Sequence, residues 1–304
     1  MSKRKYRTKI YSPRVWDTWL VVASGWLLAR LPLRTISRVG ILMGNLVYRL
    51  ARRRRHITEV NLEICFPELT SDERGSLVKQ TMVHTSIGAL EVVLPWLNPK
   101  RDLRERMTVT GVPPLEAAIA KGRGVVLIGG HFSAMDIVSQ GLASAVDIDV
   151  MYRENKNPVW EWLQVSGRRR YFDGVIERED TRQTLRRLKA GRAIWYAADQ
   201  DYGRKHSVFA PFFGVSTATI AATARLARFN NSPVIFMKNF RDLDTLTWSV
   251  DFSPEVEGFP TGDDIADATR INQIIEAAIR EHPEQYLWMH RRFKTRPPGE
   301  PGVY

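Results

Sequence analysis

The sequence contains very little cysteine and no long uninterrupted hydrophobic run. Cys65 is the only cysteine among 304 residues, which excludes an intramolecular disulfide and a cysteine-based zinc site and favours a reducing compartment. Hydrophobic residues make up 44% of the chain and charged residues 26%. These proportions are typical of globular proteins, so they exclude a mostly disordered chain, a collagen and a protein with many membrane spans. The length suits one large domain or two small ones.

Acidic residues are nearly absent from the first 55 positions. Asp17 is the only acid there, against fourteen lysines and arginines, so this segment carries a charge of +13. Because the whole chain carries +12, the remainder carries −1. A charge that is concentrated in this way indicates a local binding surface and not a property of the whole protein. We therefore divide the chain into a basic N-terminal segment, residues 1–55, and a nearly neutral main domain, residues 56–304.

The most apolar part of the basic segment is short for a membrane span. Residues 18–29 contain no charge, but as a helix they cover roughly 18 Å of a hydrocarbon core that is about 30 Å thick. This stretch must recruit neighbouring apolar residues to span a bilayer, or else lie in the interface. The tryptophans nearby suit the headgroup boundary: Trp16, Trp19 and Trp26. We expect an N-terminal membrane-anchoring helix whose partner is an anionic membrane.

Three alternatives to a membrane anchor follow from the same residues. A cleaved signal peptide is disfavoured because Ala29 is followed by Arg30, and no small-x-small cleavage site ends the apolar run. A buried N-terminal helix below a solvated basic tail is the simplest structural alternative. Nucleic-acid binding is not expected, since the basic residues flank apolar stretches and the chain has no zinc-finger spacing and no RNP motif.

Short apolar runs alternate with helical patterns in the main domain. The apolar runs predict strands at residues 124–129, 148–152, 193–198, 233–238 and 245–252. The composition and apolar spacing of the stretches between and after them predict helices at residues 134–143, 159–169, 181–189, 216–227 and 265–279. This alternation predicts an α/β fold in which a mixed sheet is flanked by helices on both faces.

A histidine and an aspartate follow the first predicted strand. The strand ends in two glycines, His131 comes next, and Asp136 lies five residues further on. On one continuous helix the two side chains would diverge by about 140°, but a strand, turn and helix allow them to meet. A carboxylate on one imidazole nitrogen fixes the tautomer and leaves the other nitrogen to act as a general base. The alternative is an aspartate that caps a helix beside an ordinary loop histidine.

The spacing of these two residues resembles the His-x4-Asp motif of the glycerolipid and lysophospholipid acyltransferases. Further stretches are similar to the bacterial lipid A late acyltransferases, the lauroyl and myristoyl enzymes: residues 152–158 (YRENKNP), 199–203 (DQDYG), 207–214 (SVFAPFFG) and 284–297 (EQYLWMHRRFKTRP). The similarity runs in order over nearly the whole chain. The resemblance implies a glycerolipid acyltransferase-like fold. It also implies that the protein is an acyltransferase of lipid A and lipopolysaccharide biosynthesis. Its location would be the bacterial inner membrane, with the catalytic domain on the cytoplasmic face.

The resemblance also implies the substrates and the catalytic roles. The donor would be an acyl carrier protein thioester, with laurate as our first expectation, and the acceptor a hydroxyl on a hydroxyacyl chain of a Kdo-containing lipid A precursor. His131 would remove the proton from this hydroxyl, and Asp136 would orient His131 and stabilise its cation. Because Ser133 lies in Gly-His-Phe-Ser-Ala and not in a nucleophile elbow, we expect direct transfer without an acyl-enzyme, a metal or a cofactor.

An acceptor that is rich in phosphate and carboxylate requires cations, and the planar guanidinium of arginine can bind two oxygens of such a group. We expect substrate binding by Arg153, Arg170 and Arg178. Arg153 also lies in the stretch that resembles the family. Asp199 and Asp201 follow a predicted strand, where ligands of α/β proteins often bind, so we include them, with structural ion pairing as the alternative.

Three other functions remain compatible with these residues. The first is acyl transfer from acyl-CoA to another glycolipid or to a lysophospholipid. The second is a lipid esterase in which His131 activates water. The third is a membrane adaptor without catalytic activity, whose basic N-terminus binds anionic lipid.

Overall fold

The computed structural model describes residues 9–304. Lys3, Arg4, Lys5 and Arg7, which contribute to the charge of the basic segment, lie outside the described residues. The α-helices of the described chain are α1 (Trp16–Leu28), α2 (Leu33–Leu50), α3 (Arg52–Cys65), α4 (Ser71–Glu91), α5 (Val93–Leu97), α6 (Val112–Ala120), α7 (Ser139–Ala145), α8 (Pro158–Arg168), α9 (Thr181–Lys189), α10 (Ala222–Asn230) and α11 (Asp264–Glu281). Short 3-10 helices cover Pro13–Val15, Arg104–Arg106, Arg204–His206 and Pro283–Gln285.

A seven-stranded mixed sheet forms the centre of the molecule. The strands are β1 (Met107–Thr110), β2 (Val125–Gly129), β3 (Ile148–Tyr152), β4 (Val175–Glu177), β5 (Ala193–Ala197), β6 (Ser207–Phe212), β7 (Val215–Ile220), β8 (Val234–Asp242) and β9 (Thr247–Glu255). The order in the large sheet is β1-β9-β8-β2-β5-β3-β4, and its neighbours are parallel except for β8 and β9. Strands β6 and β7 form a separate antiparallel pair.

Helices cover both faces of the large sheet, as the sequence predicts. Successive residues of a strand point to opposite faces: Val126 and Ile128 of β2 belong to one buried apolar cluster, and Val125 and Leu127 belong to the other. Helices α3, α4, α10 and α11 contribute to the first cluster, and helices α6 and α7 to the second. Because both faces of β2 are buried, its sequence is continuously apolar, which is the signal that identified it as a strand.

One predicted helix, residues 216–227, is wrong in its first half. Strand β7 occupies Val215–Ile220 and pairs with β6, and helix α10 begins only at Ala222. The turn between β6 and β7 consists of Phe213 and Gly214, which both have positive φ. The threonines and alanines of this stretch fit either structure by composition, and pairing with β6 decides in favour of a strand.

The N-terminal helices are held against the rest of the protein. Helix α2 lies so close to α4 that a Cβ on Gly44 would come within 2.5 Å of the Cα of Val83. A Cβ on Gly40 would come within 2.7 Å of the side chain of Ile87, so glycine is needed at both positions for this close packing. Between residues 9 and 304, no helix has the length and apolar character that crossing a membrane requires. The spanning helix that we considered for the N-terminal segment is therefore not found in this range.

Candidate active site

The pairing of β2 with β5 brings His131 and Asp199 together. Gly129 lies opposite Ala197 in the parallel register, and the two functional residues each follow two positions later, at the carboxyl ends of the strands. The Nδ1 atom of His131 lies 2.6 Å from Oδ1 of Asp199, and the backbone N–H of His131 donates to Oδ2 at 2.8 Å. The Asp199 side chain is 1% exposed, whereas that of His131 is 24% exposed. The pair therefore consists of a buried carboxylate and an imidazole that a substrate can reach.

Electrostatic interactions keep Asp199 ionised and make His131 more basic. Burial by itself lowers the pKa of His131, but the charge and the hydrogen bond of Asp199 raise it above its ordinary value. Burial raises the pKa of Asp199, but His131 and the Tyr286 hydroxyl, which donates a hydrogen bond to the carboxylate, bring that pKa well below its usual range. An ionised Asp199 places the imidazole proton on Nδ1 and leaves Nε2 to accept a proton.

Asp136 binds a different partner from the one predicted. Its carboxylate accepts hydrogen bonds from Nε and Nη2 of Arg168, at 3.1 and 3.3 Å. Helix α7 begins only at Ser139, so Asp136 lies in a turn and not in a first helical turn, and the His131 ring is directed towards the end of β5. The sequence predicts a hydrogen bond between Asp136 and His131. In the structure, His131 instead binds Asp199. The charges of Arg168 and Asp136 still contribute to the pKa of His131, in opposite directions, and a catalytic role for Asp136 stays a prediction.

Two of the three predicted substrate-binding arginines lie at the same edge of the sheet as His131. Arg153 follows β3 directly and is exposed, and Arg178 follows β4 directly. In the sheet, β2 is followed by β5, then β3, then β4. Because neighbouring strands are about 4.8 Å apart, the end of β3 lies roughly 10 Å, and the end of β4 roughly 15 Å, from the end of β2. The Arg178 guanidinium stacks on the ring of Tyr202, 5.2 Å from its centroid. The two cations thus lie at the edge of the sheet where His131 also lies, and substrate binding by them stays a prediction.

Two further predicted binding residues, Arg170 and Asp201, make internal contacts. Arg170 donates a hydrogen bond to the backbone carbonyl of Trp96. Asp201 accepts hydrogen bonds from the backbone N–H of Gly203 at 2.7 Å and from the backbone N–H and hydroxyl of Thr295 at 2.7 and 2.9 Å. These bonds occupy both carboxylate oxygens of Asp201 and attach the C-terminal segment to the end of β5, as in the structural alternative. Substrate binding by Arg170 and Asp201 stays a prediction.

A narrow cleft surrounds the His131–Asp199 pair. Its other lining residues come from α3, from the end of β5 and from the C-terminal segment: Asn61, Gln200, Tyr286, Leu287, Trp288, His290 and Arg292. The Nδ2 atom of Asn61 donates to the carbonyl oxygens of Trp288 and His290, at 2.7 and 2.8 Å, and so fixes the course of that segment. Sequence reasoning did not identify Asn61 or Tyr286, although Tyr286 lies in the C-terminal stretch that resembles the family.

His290 is the second histidine of the cleft. Burial lowers its pKa to about 4, so it is neutral at physiological pH. Its Nε2 atom accepts a weak hydrogen bond from the backbone N–H of Asp201 at 3.4 Å. A neutral imidazole whose Nε2 is already an acceptor shapes the cleft and supplies no positive charge for an anionic substrate.

Comparison with known proteins agrees with the resemblance seen in the sequence. The family model for bacterial lipid A biosynthesis acyltransferases matches residues 3–295. The chain is 35% identical over 301 residues to both the palmitoleoyltransferase and the lauroyltransferase of lipid A biosynthesis from Escherichia coli (strain K12), with 99% of this chain and 98% of each relative covered. Its identity to the lipid A biosynthesis myristoyltransferase of that strain is 28% over 292 residues, covering 95% of this chain and 90% of the relative. The chain therefore belongs to the bacterial lipid A biosynthesis acyltransferase family and is an enzyme that transfers acyl groups in that synthesis.

Proposed function

We propose that this enzyme transfers a fatty acyl chain from an acyl carrier protein thioester to a hydroxyl of a hydroxyacyl chain on a Kdo-containing lipid A precursor. The observation that carries the chemical part of the proposal is the 2.6 Å contact between Nδ1 of His131 and Oδ1 of Asp199. It orients an accessible imidazole with a buried carboxylate, which is the arrangement that general-base catalysis requires. The family supports acyl transfer onto lipid A.

In the proposed mechanism, Nε2 of His131 removes the proton of the acceptor hydroxyl as its oxygen attacks the thioester carbonyl carbon. A C–O bond forms, and the tetrahedral intermediate then collapses by breaking the C–S bond. The imidazolium returns the proton to the leaving thiolate, so the products are an ester and a free thiol. Asp199 stabilises the imidazolium while it exists, because the hydrogen bond at Nδ1 is then made between opposite charges.

Arg153 and Arg178 bind the anionic part of the acceptor in this proposal. Both follow strands that end at the same edge of the sheet as β2. A lipid A precursor that carries phosphates and Kdo carboxylates offers pairs of anionic oxygens, which the planar guanidinium of arginine binds well. Their distance of two and three strands from β2 suits a headgroup that lies beside the reacting hydroxyl.

We also propose that the enzyme works on the cytoplasmic face of the inner membrane and attaches through an apolar N-terminal surface on α1 and α2. This surface consists of Trp16, Leu20, Leu27, Val39, Leu42, Leu46 and Leu50, all of them exposed. Leu20 is 71% exposed and Leu42 is 70% exposed, and the spacing on α2 places its members on one helix face. Exposed arginines lie on the same helices and at the start of α3: Arg34, Arg38, Arg49, Arg52, Arg53 and Arg54. Apolar side chains with neighbouring cations match an anionic bilayer surface.

The donor and acceptor are tested with purified, detergent-solubilised enzyme. Lauroyl-acyl carrier protein and a Kdo-containing lipid A precursor should give a product that is heavier by one ester-linked chain. Lauroyl-CoA should react much more slowly, and so should the precursor without Kdo. A preference for acyl-CoA, or for a lysophospholipid acceptor, would contradict the proposal, and release of free fatty acid without an acylated lipid would indicate an esterase.

A further inference from the structure

The loop that carries His131 is attached to the C-terminal segment of the chain. The carbonyl oxygen of His131 accepts a hydrogen bond from the backbone N–H of Leu287 at 3.0 Å. Two residues later, the backbone N–H of Ser133 donates to the carbonyl oxygen of Gln285 at 2.8 Å. These two bonds set the position of the loop relative to residues 285–287, so the position of His131 depends on what holds that segment in turn.

A buried arginine on β8 contacts both sides of this attachment. Nη1 of Arg241 donates to the hydroxyl of Ser133 at 3.1 Å, and Nη2 lies 3.4 Å from the Ser133 carbonyl oxygen. The backbone N–H of Arg241 donates to Oε1 of Gln285 at 2.8 Å, and Nε2 of Gln285 donates back to the Arg241 carbonyl oxygen at 2.9 Å. A single residue therefore fixes the loop through its guanidinium and the C-terminal segment through its backbone.

Glu91, at the end of α4, balances the charge of Arg241. It accepts two hydrogen bonds from the guanidinium, one of them at 2.8 Å from Nε, and a third from Nε1 of Trp248 at 3.2 Å. His84 also faces the guanidinium, with its Nδ1 at 3.3 Å. Burial and the neighbouring guanidinium lower the pKa of His84 to about 3, so this histidine is neutral and Arg241 and Glu91 are paired one to one.

Helix α4 leaves the loop no space on its other side. A Cβ on Gly88 would lie 2.1 Å from the carbonyl oxygen of Ser133, so the loop rests directly on the helix backbone. The loop is thus enclosed by α4, by the Arg241 side chain and by residues 285–287. A shift of Ser133 away from Arg241 would change the direction in which His131 points.

We infer that the buried Arg241–Glu91 pair is a positioning device for His131, acting through Ser133 and Gln285. Removing two charges from water costs free energy that their mutual attraction often does not recover, so fold stability alone does not explain such a pair. This pair also contacts the loop that carries His131, so it can hold the imidazole in place. Such positioning affects the rate because general-base catalysis is sensitive to displacements of about 1 Å. The inference rests on the proposed role of His131 as the general base.

The test compares Arg241→Lys with Arg187→Lys. Arg187 makes the same kind of two-bond contact with a buried carboxylate, Asp149, near the amino end of β3 and away from the His131 loop. Both variants should lose thermal stability. We expect Arg241→Lys also to lower kcat about tenfold or more with the acceptor KM within about twofold, whereas Arg187→Lys should keep its kcat. The acidic limb of the pH–rate profile of Arg241→Lys should move to lower pH, because a displaced His131 loses part of its contact with Asp199.

A double variant, Arg241→Met with Glu91→Met, keeps the inference testable if Arg241→Lys fails to fold. It removes both charges together, so no unpaired ion is buried. It should be more stable than either single methionine variant and still show the reduced kcat. Unchanged kcat and an unchanged pH profile in a folded Arg241 variant would overturn the inference. Full activity of His131→Ala would instead overturn the proposed function, so the two failures are distinguishable.

Discussion

Replacing Asp199 with asparagine removes a negative charge from beside His131 and keeps the size of the side chain. The carboxylate is 1% exposed and contacts Nδ1 of His131 at 2.6 Å. With charge centres about 4 Å apart and an effective dielectric constant of about 20, a carboxylate attracts an imidazolium by about 4 kcal/mol. About 1.4 kcal/mol corresponds to a factor of ten in rate. We therefore expect kcat of Asp199→Asn to fall by about 10²- to 10³-fold.

The direction of the change in pH dependence follows from the pKa of His131. A general base must be neutral, so the wild-type rate should rise as the pH increases through the raised pKa of His131. Without the carboxylate, burial still lowers this pKa and the opposing charge is gone. The acidic limb of kcat/KM should thus move to lower pH in Asp199→Asn, while the plateau rate decreases because the imidazolium is no longer stabilised.

The assay is initial-rate acyl transfer from lauroyl-acyl carrier protein between about pH 5 and pH 9, across the range in which a histidine titrates. Asp136→Asn is the matched comparison, because it removes a carboxylate that binds Arg168 and leaves the Asp199 contact in place. It should shift the acidic limb less than Asp199→Asn does. The reasoning would be refuted if Asp199→Asn kept the wild-type profile, or if Asp136→Asn gave the larger shift.

Three further predictions concern packing, substrate binding and membrane attachment. Gly88→Ala should lower both kcat and the melting temperature, because its Cβ would meet the loop that carries His131. Gly75→Ala lies in the same helix with open space around it, so it should stabilise the protein by about 0.5–1 kcal/mol. Equal melting temperatures of the two variants would contradict this prediction. Arg153→Ala should mainly raise the acceptor KM in steady-state kinetics, and an unchanged KM would remove Arg153 from acceptor binding. In cosedimentation with vesicles that contain anionic phospholipid, Leu42→Glu should bind more weakly than the wild type. Ile265→Glu changes an exposed residue on α11 and should bind as the wild type does. Equal loss of binding in both variants would argue against attachment through the apolar N-terminal surface.

Much of the fold follows from local sequence patterns because both faces of its central strands are buried. The apolar run of β2 and the helical spacing of α11 each identify one element without knowledge of the rest. The sequence pattern predicts a helix where β7 lies, because the threonines and alanines of this stretch become a strand only through pairing with β6. Contacts of this kind are not visible in a window of neighbouring residues.

The same distinction between local and distant contacts explains which residues of the site the sequence predicts and which it misses. The position of His131 after a strand and two glycines indicates its role, and the His-x4-Asp spacing, together with the family resemblance, predicts Asp136 as its partner. The actual partner, Asp199, is 68 residues away and is brought close by the register of two parallel strands. A usable signal was present, since both residues come two positions after a buried strand. The contact between Arg241 and Glu91, 150 residues apart, has no such signal.

The most direct measurement is acyl transfer by purified wild-type enzyme and by His131→Ala, followed by mass spectrometry of the lipid product. The wild type should convert a Kdo-containing lipid A precursor to a form heavier by one ester-linked chain, with acyl carrier protein released as the free thiol. His131→Ala, folded and with unchanged acceptor binding, should give no such product. Formation of the acylated lipid at the wild-type rate by His131→Ala would contradict the proposed mechanism.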